Sequence, residues 1–156
     1  LSIEFPFVVA FWYNRVSKMA KRFEVIDHTA DIGIAAYGSD LKEAFANAAY
    51  AMFSLMVDLK GVGDALCHEV EVTAENREDL LVAWLNELIY LFEVEGILFK
   101  RFRVGELTET RLSSRCYGEG IDPVRHRIKM AVKAATYHML KVEKGDGFRV
   151  QVLFDI

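Results

Sequence analysis

Between Ala131 and Phe154 the sequence alternates along two stretches on either side of Gly145-Asp146-Gly147, and no other feature restricts its folding as tightly. From Ala131 to Glu143 one face carries Val132, Ala134, Thr136, His138, Leu140 and Val142, and the other carries Lys133, Ala135, Tyr137, Met139 and Lys141. Phe148, Val150, Val152 and Phe154 form the matching apolar set. A period of two on both sides of a glycine-flanked turn predicts an antiparallel hairpin. A two-residue Asp146-Gly147 turn would set Val142 opposite Gln151 and mix the faces, whereas a three-residue turn sets Val142 opposite Val150 and Leu140 opposite Val152. The three-residue register is expected. It brings Asp155 near Tyr137 and puts His138 on the apolar face, where it reads as a core histidine.

The rest of the chain supplies partners for that hairpin. Arg22-Phe23-Glu24-Val25-Ile26 alternates and Ile32-Gly33-Ile34-Ala35-Ala36-Tyr37 is short and apolar, so two strands flank the heptapeptide Asp27-His28-Thr29-Ala30-Asp31-Ile32-Gly33. Asp and Thr are ordinary turn formers, but two carboxylates and an imidazole at a strand junction can also be aimed at one point. Asp40 with Glu43 makes a capping box for a helix whose face, Leu41, Ala44, Phe45, Ala48, Met52, Leu55 and Met56, runs to Val57, with Gly61 and Gly63 ending it. His68 to Ala74 alternates as a strand. Asn76 caps a second helix, striped by Leu81, Trp84, Leu85, Leu88 and Phe92 and closed by Gly96. Leu80, Ile89 and Leu91 widen that stripe until the helix must be covered on most sides.

Two more strands, Ile97 to Leu107 and Arg111 to Tyr117, join through Thr108-Glu109-Thr110. Lys100-Arg101-Phe102-Arg103 in the first has the look of a nucleic-acid contact, but alternation explains it more simply as the solvated face of a sheet. The loop Gly118 to Pro123 and the basic run Arg125-His126-Arg127-Ile128-Lys129 follow. The fold class is therefore α+β, a mostly antiparallel sheet of about seven strands backed by two amphipathic helices.

Composition excludes several alternatives. At 156 residues, with 53% apolar and 27% charged residues, one globular domain is the default. A net charge of −4 gives no overall attraction to phosphate backbones. Cys67 and Cys116 lack disulfide or zinc spacing and are expected to be buried thiols in a reducing cytoplasm. No apolar run reaches the roughly 20 residues a membrane span needs. Residues 1–18 are apolar in the middle, but Glu4 and Pro6 come first and no cleavage site follows, so they do not read as a secretory signal. They are expected to be an extension outside a single domain of residues 19–156, with Met19 a natural start.

His28-Thr29-Ala30-Asp31-Ile32-Gly33 resembles the signature of the archease family. Tyr117-Gly118-Glu119, then Asp122 and His126, Val132-Lys133-Ala134-Ala135-Thr136-Tyr137-His138, and Asp155-Ile156 resemble that family's later motifs in the same order, so the resemblance covers about residues 20–156. It implies an α+β fold and an accessory protein, not itself an enzyme. Such a protein promotes the guanylylation and multiple turnover of an RtcB-type RNA ligase in tRNA splicing. It implies a divalent metal held by Asp31, Asp155 and Ile156 through a backbone oxygen. Oxygen donors suit calcium, magnesium or manganese. No residue is assigned a catalytic role, and His28, Lys133 and His138 are expected to support the site.

The chain has no Gly-x-x-x-x-Gly-Lys-Ser/Thr loop, so RNA and GTP are expected to be met only through the ligase. Two other readings stay open. One is a general chaperone or modulator of RNA-processing enzymes such as an RNA methyltransferase. The other is a self-sufficient metal-dependent hydrolase with His28 or His138 as base.

Overall fold

A computed structural model describes residues 21–28 and 30–156; the expected extension, residues 1–18, lies outside the described residues. Among the described residues seven strands form two antiparallel sheets. The first comprises β1 (Phe23–Asp27), β2 (Ile32–Gly38), β7 (Phe148–Asp155) and β6 (Ala134–Lys144), in the order β1-β2-β7-β6. The second comprises β3 (Leu66–Thr73), β5 (Arg111–Gly120) and β4 (Ile97–Leu107), in the order β3-β5-β4. Helices α1 (Leu41–Met56) and α2 (Arg77–Glu95) pack against both sheets.

Both helix starts follow their capping residues. The Asp40 carboxylate accepts the Glu43 N–H at 2.8 Å, and Ser39 Oγ donates to the Glu43 carboxylate at 2.9 Å. Asn76 accepts the Asp79 N–H at 2.8 Å. Gly96, at φ +66°, closes α2 in the left-handed conformation that glycine adopts without a Cβ penalty. Helix α1 stops at Met56, earlier than the glycines suggest, because Val57 leaves the helix to bridge Ile128; a single 3-10 turn, Leu59–Gly61, follows.

The core lies where the helices meet the sheets. Trp84 of α2 stacks on Phe45 of α1 at 6.5 Å between centroids, and meets Phe102 of β4 edge-on at 6.1 Å. Its indole N–H donates to Ser114 Oγ at 2.9 Å, and that hydroxyl donates to Val70 O at 3.1 Å, so the buried polar atoms of this corner are partnered. Phe53 of α1 packs edge-on against Phe99. Packed against both sheets, the helices bury their apolar residues, including Leu80, Ile89 and Leu91 that widen the stripe of α2, while Glu87, Tyr90, Glu93 and Val94 stay exposed.

The β6–β7 hairpin has the three-residue turn, with Lys144 opposite Phe148 and Val142 opposite Val150. Gly147 is required there, since a Cβ would meet Gly38 O at 2.7 Å. Beyond Lys141 the expected register fails. Thr136 pairs with Leu153 while Lys141 pairs with Gln151, so the four residues Tyr137 to Leu140 stand opposite Val152 alone. This wide bulge shifts the far end of the hairpin by three residues, and Asp155 pairs with Ala134 instead of Tyr137. Leu140 does not oppose Val152 in the ladder. The free thiol of Cys116 is buried and pushed up to about 12 by that burial, but Cys67 is exposed, on the solvent side of β3.

Candidate functional site

The signature heptapeptide closes the β1–β2 hairpin. The His28 N–H donates to Asp31 O and the Asp31 N–H donates to His28 O, both at 3.3 Å, so these residues form the last pair before the turn. Thr29 lies outside the described residues. His28 Nδ1 stands 3.9 Å from Asp31 Oδ2. The heptapeptide is a turn, and the same turn sets an imidazole beside a carboxylate.

Asp155 comes to the same place through β7. Ile32 of β2 pairs with Phe154 as the last pair of their ladder, so Asp31 and Asp155, the next residue on each chain segment, lie at the same end of it. On its other side β7 meets the start of β6, where Ala134 pairs with Asp155 and the Lys133 N–H donates to Asp155 O at 2.8 Å. That bond engages the backbone carbonyl of Asp155, not its carboxylate. Asp155 and Ile156 are both exposed, and Asp31 is partly so. Asp31, Asp155, Ile156 and Lys133 therefore share one end of the four-stranded sheet.

The bulge in β6 delivers the remaining member. Met139 sits at φ +55°, a conformation a non-glycine residue adopts at a cost, and the Gln151 side-chain amide donates to Met139 O at 2.9 Å to hold it. His138 is exposed, and its ring meets that of His28 edge-on, 5.6 Å apart. His138 is thus no core histidine: uninterrupted alternation would have buried it, and the bulge turns it out toward His28. Tyr137 and Met139 beside it are 63% and 44% exposed.

A residue not singled out from the sequence fixes this end of β6. Asn86, in the middle of α2, accepts the Ala135 N–H at 2.8 Å and donates to Ala135 O at 3.3 Å. β6 is an edge strand, and this side-chain amide pairs both backbone groups of Ala135 just beyond Lys133. A lone carboxamide in a nearly all-apolar helical stretch was the available signal.

The motif residues Glu119, Asp122 and His126 form a second cluster. The Asp122 N–H donates to His126 Nδ1 at 2.9 Å, so the neutral ring carries its proton on Nε2, which faces Glu119 Oε1 at 2.5 Å. His126 is buried, and Arg125 also pairs with Glu119. Desolvation acts to raise the Glu119 carboxyl, but hydrogen bonds from His126, the Gly63 N–H and Arg125 outweigh it and hold the group below its ordinary value. This cluster fastens the loop after β5 onto the segment following α1.

The donor atoms offered here are hard oxygens, the class that calcium, magnesium or manganese takes. Asp31 and Asp155 offer carboxylate oxygens and Ile156 a backbone oxygen, an incomplete shell of the kind that leaves positions for water or phosphate oxygens. Among the described residues no group of three or more His, Cys, Asp or Glu side chains is placed to hold a metal ion, so the two carboxylates would need other oxygens to complete a shell. No described helix is long and apolar enough to cross a membrane.

Residues 23–156 match the model of the Archease protein family (MTH1598/TM1083). An archease of Methanosarcina acetivorans is 44% identical over 141 residues, covering 87% of this chain and 97% of that protein. The solution structure of Methanobacterium thermoautotrophicum protein 1598 superposes with a TM-score of 0.75 at 40% identity, over 86% of this chain and 99% of that one. The crystal structure of a Thermotoga maritima archease, described as a possible chaperone, gives a TM-score of 0.55 at 27% identity over 85% of this chain and 96% of that one.

Proposed function

The chain belongs to the archease family, and on that premise we propose that it is an accessory protein of an RtcB-type tRNA-splicing RNA ligase, promoting the ligase's guanylylation and thereby its multiple turnover. The observation that supports this reading most is that Asp31 and Asp155 each flank the Ile32–Phe154 pair ending the β2–β7 ladder, at an exposed end of the sheet. Two carboxylates there can be presented to a partner's active site, and a nucleotide would not be held by this chain alone.

In this reading Asp31, Asp155 and the Ile156 backbone oxygen hold a divalent cation, which when bound supplies positive charge to the oxygens of a transferring phosphoryl group. The chain's own residues do the positioning. The Lys133 amide fixes the Asp155 main chain, Asn86 fixes the strand that carries Lys133, and the paired His28–Asp31 backbone fixes the turn. His28 and His138 border the carboxylates, where each can donate a hydrogen bond.

The test is ligation of tRNA halves with substrate in excess over ligase, with and without this protein. The accessory reading requires multiple turnovers only when both proteins are present. Phosphatase, nuclease or GTPase activity of the purified chain alone would favour the hydrolase reading instead. Suppression of aggregation of unrelated RNA-processing enzymes, without an effect on ligation, would favour the general chaperone.

A further inference from the structure

The basic run Arg125-His126-Arg127-Ile128-Lys129 lies apart from the carboxylates and has no part in the function above. It borders an open groove of about 600 Å³, whose other wall is Val57, Asp58 and Gly61. The segment is firmly held. The Lys129 N–H donates to Met56 O at 2.7 Å, Ile128 bridges Val57, and His126 is buried against Glu119. Three cations at alternate positions are therefore displayed on a fixed stretch of backbone, so binding must order their side chains but not the main chain.

Their charges are not equally committed. Arg125 pairs with Glu119 and lies 3.8 Å from Asp122, whereas among the described residues neither Arg127 nor Lys129 has a carboxylate within 4.0 Å. Asp58 on the opposite wall accepts the Lys60 N–H at 3.1 Å and keeps its negative charge, so against it Arg127 and Lys129 leave one net positive charge. The groove thus carries unspent positive charge on a chain whose net charge is −4. Arg127 and Lys129 are two residues apart, about 6.6 Å if extended, an interval suited to neighbouring phosphates of one strand.

The groove connects through the chain to the carboxylate end of the four-stranded sheet. Helix α1 runs back along β2, so Met56 and Val57 return toward Ile32 and Asp31. Lys129 is four residues from Lys133, at most about 14 Å of chain, and Lys133 touches Asp155.

We propose that this groove binds the phosphodiester backbone of single-stranded RNA and leads it toward the Asp31–Asp155 end. The choice of RNA rests on the ligase reading; the polyanion chemistry rests on Arg127 and Lys129. Phosphate contacts of this kind fix register without reading sequence. The net negative charge elsewhere keeps binding weak and strongly dependent on salt.

The experiment is fluorescence anisotropy of labelled single-stranded RNA with the isolated chain across a salt series. Binding at low salt should weaken with a log–log slope of about −1.4, for two phosphates. Arg127→Glu/Lys129→Glu should lower affinity at least about tenfold. Lys100→Glu/Arg103→Glu, the same charge change on β4, should leave it within about twofold. Should the first variant melt below wild type, Arg127→Gln/Lys129→Gln replaces it. No binding at low salt, equal loss in both double variants, or preferential binding of a polyglutamate peptide overturns the groove. Affinity is read without ligase, so these results stand apart from a failure to stimulate ligation, which would overturn the accessory reading instead.

Discussion

Asp31 and Asp155 lie at the same end of the β2–β7 ladder, each the residue next to the Ile32–Phe154 pair that ends it. One more pair in that register would hold their Cβ atoms about 5 Å apart, close enough for one cation to be shared and for two bare carboxylates to repel. In chelator, Asp31→Asn or Asp155→Asn should leave the melting temperature unchanged or slightly raised. Calcium, magnesium or manganese at a hundred times its dissociation constant should stabilise the wild type by about 2.7 kcal/mol, and neither variant to that extent. Scanning calorimetry with and without metal checks both statements.

His138 and Asn86 separate function from fold in the neighbouring strand. His138 is exposed on the bulge, so His138→Ala should change stability by no more than about 0.5 kcal/mol. Asn86→Ala removes both partners of Ala135 and should cost about 1–3 kcal/mol. Urea unfolding of the two variants should show this contrast.

Glu119 makes part of the stability depend on pH. Its carboxyl lies below the ordinary value of 4.5 in the folded protein, so its contribution is complete above that value and is lost as pH falls through the lower folded value. Glu119→Gln should therefore show a shallower loss of stability below about pH 4.5 than the wild type. Melting temperatures at a series of acid pH values measure the difference.

Gly118, beside Glu119 in β5, admits no side chain, because a Cβ there would lie 1.8 Å from Leu98 O and 2.8 Å from Phe99 Cα. Backbone cannot yield as a side-chain tip does. Gly118→Ala should cost about 3 kcal/mol or more, in contrast with Gly61→Ala, where a Cβ meets nothing within 4 Å. Denaturant midpoints of the two variants report this directly.

Local rules in the sequence carried most of the architecture. Asp40 and Asn76 mark helix starts, Gly96 marks an end, and the period-two stretches mark strands, because each depends on neighbours a few residues away. Val142 opposite Val150 was legible for the same reason. The bulge from Tyr137 to Leu140 was not, since its residues alternate as a regular strand would. What breaks the alternation is tertiary, including the Gln151 amide on Met139 O. Alternation alone therefore points His138 into the core and sets Asp155 beside Tyr137, whereas the bulge exposes His138 and pairs Asp155 with Ala134. The clip by Asn86 and the division of seven strands into two sheets likewise depend on contacts between distant segments.

The measurement closest to the central claim is joining of tRNA halves by an RtcB-type ligase in substrate excess, supplied in turn with wild-type, Asp31→Ala and Asp155→Ala protein of matched melting temperature. Many turnovers are expected with wild type, and little beyond one round with either variant. An Asp31→Ala protein that supports turnover as well as the wild type would contradict it, leaving the His28–Asp31 pair as only the closing pair of a turn.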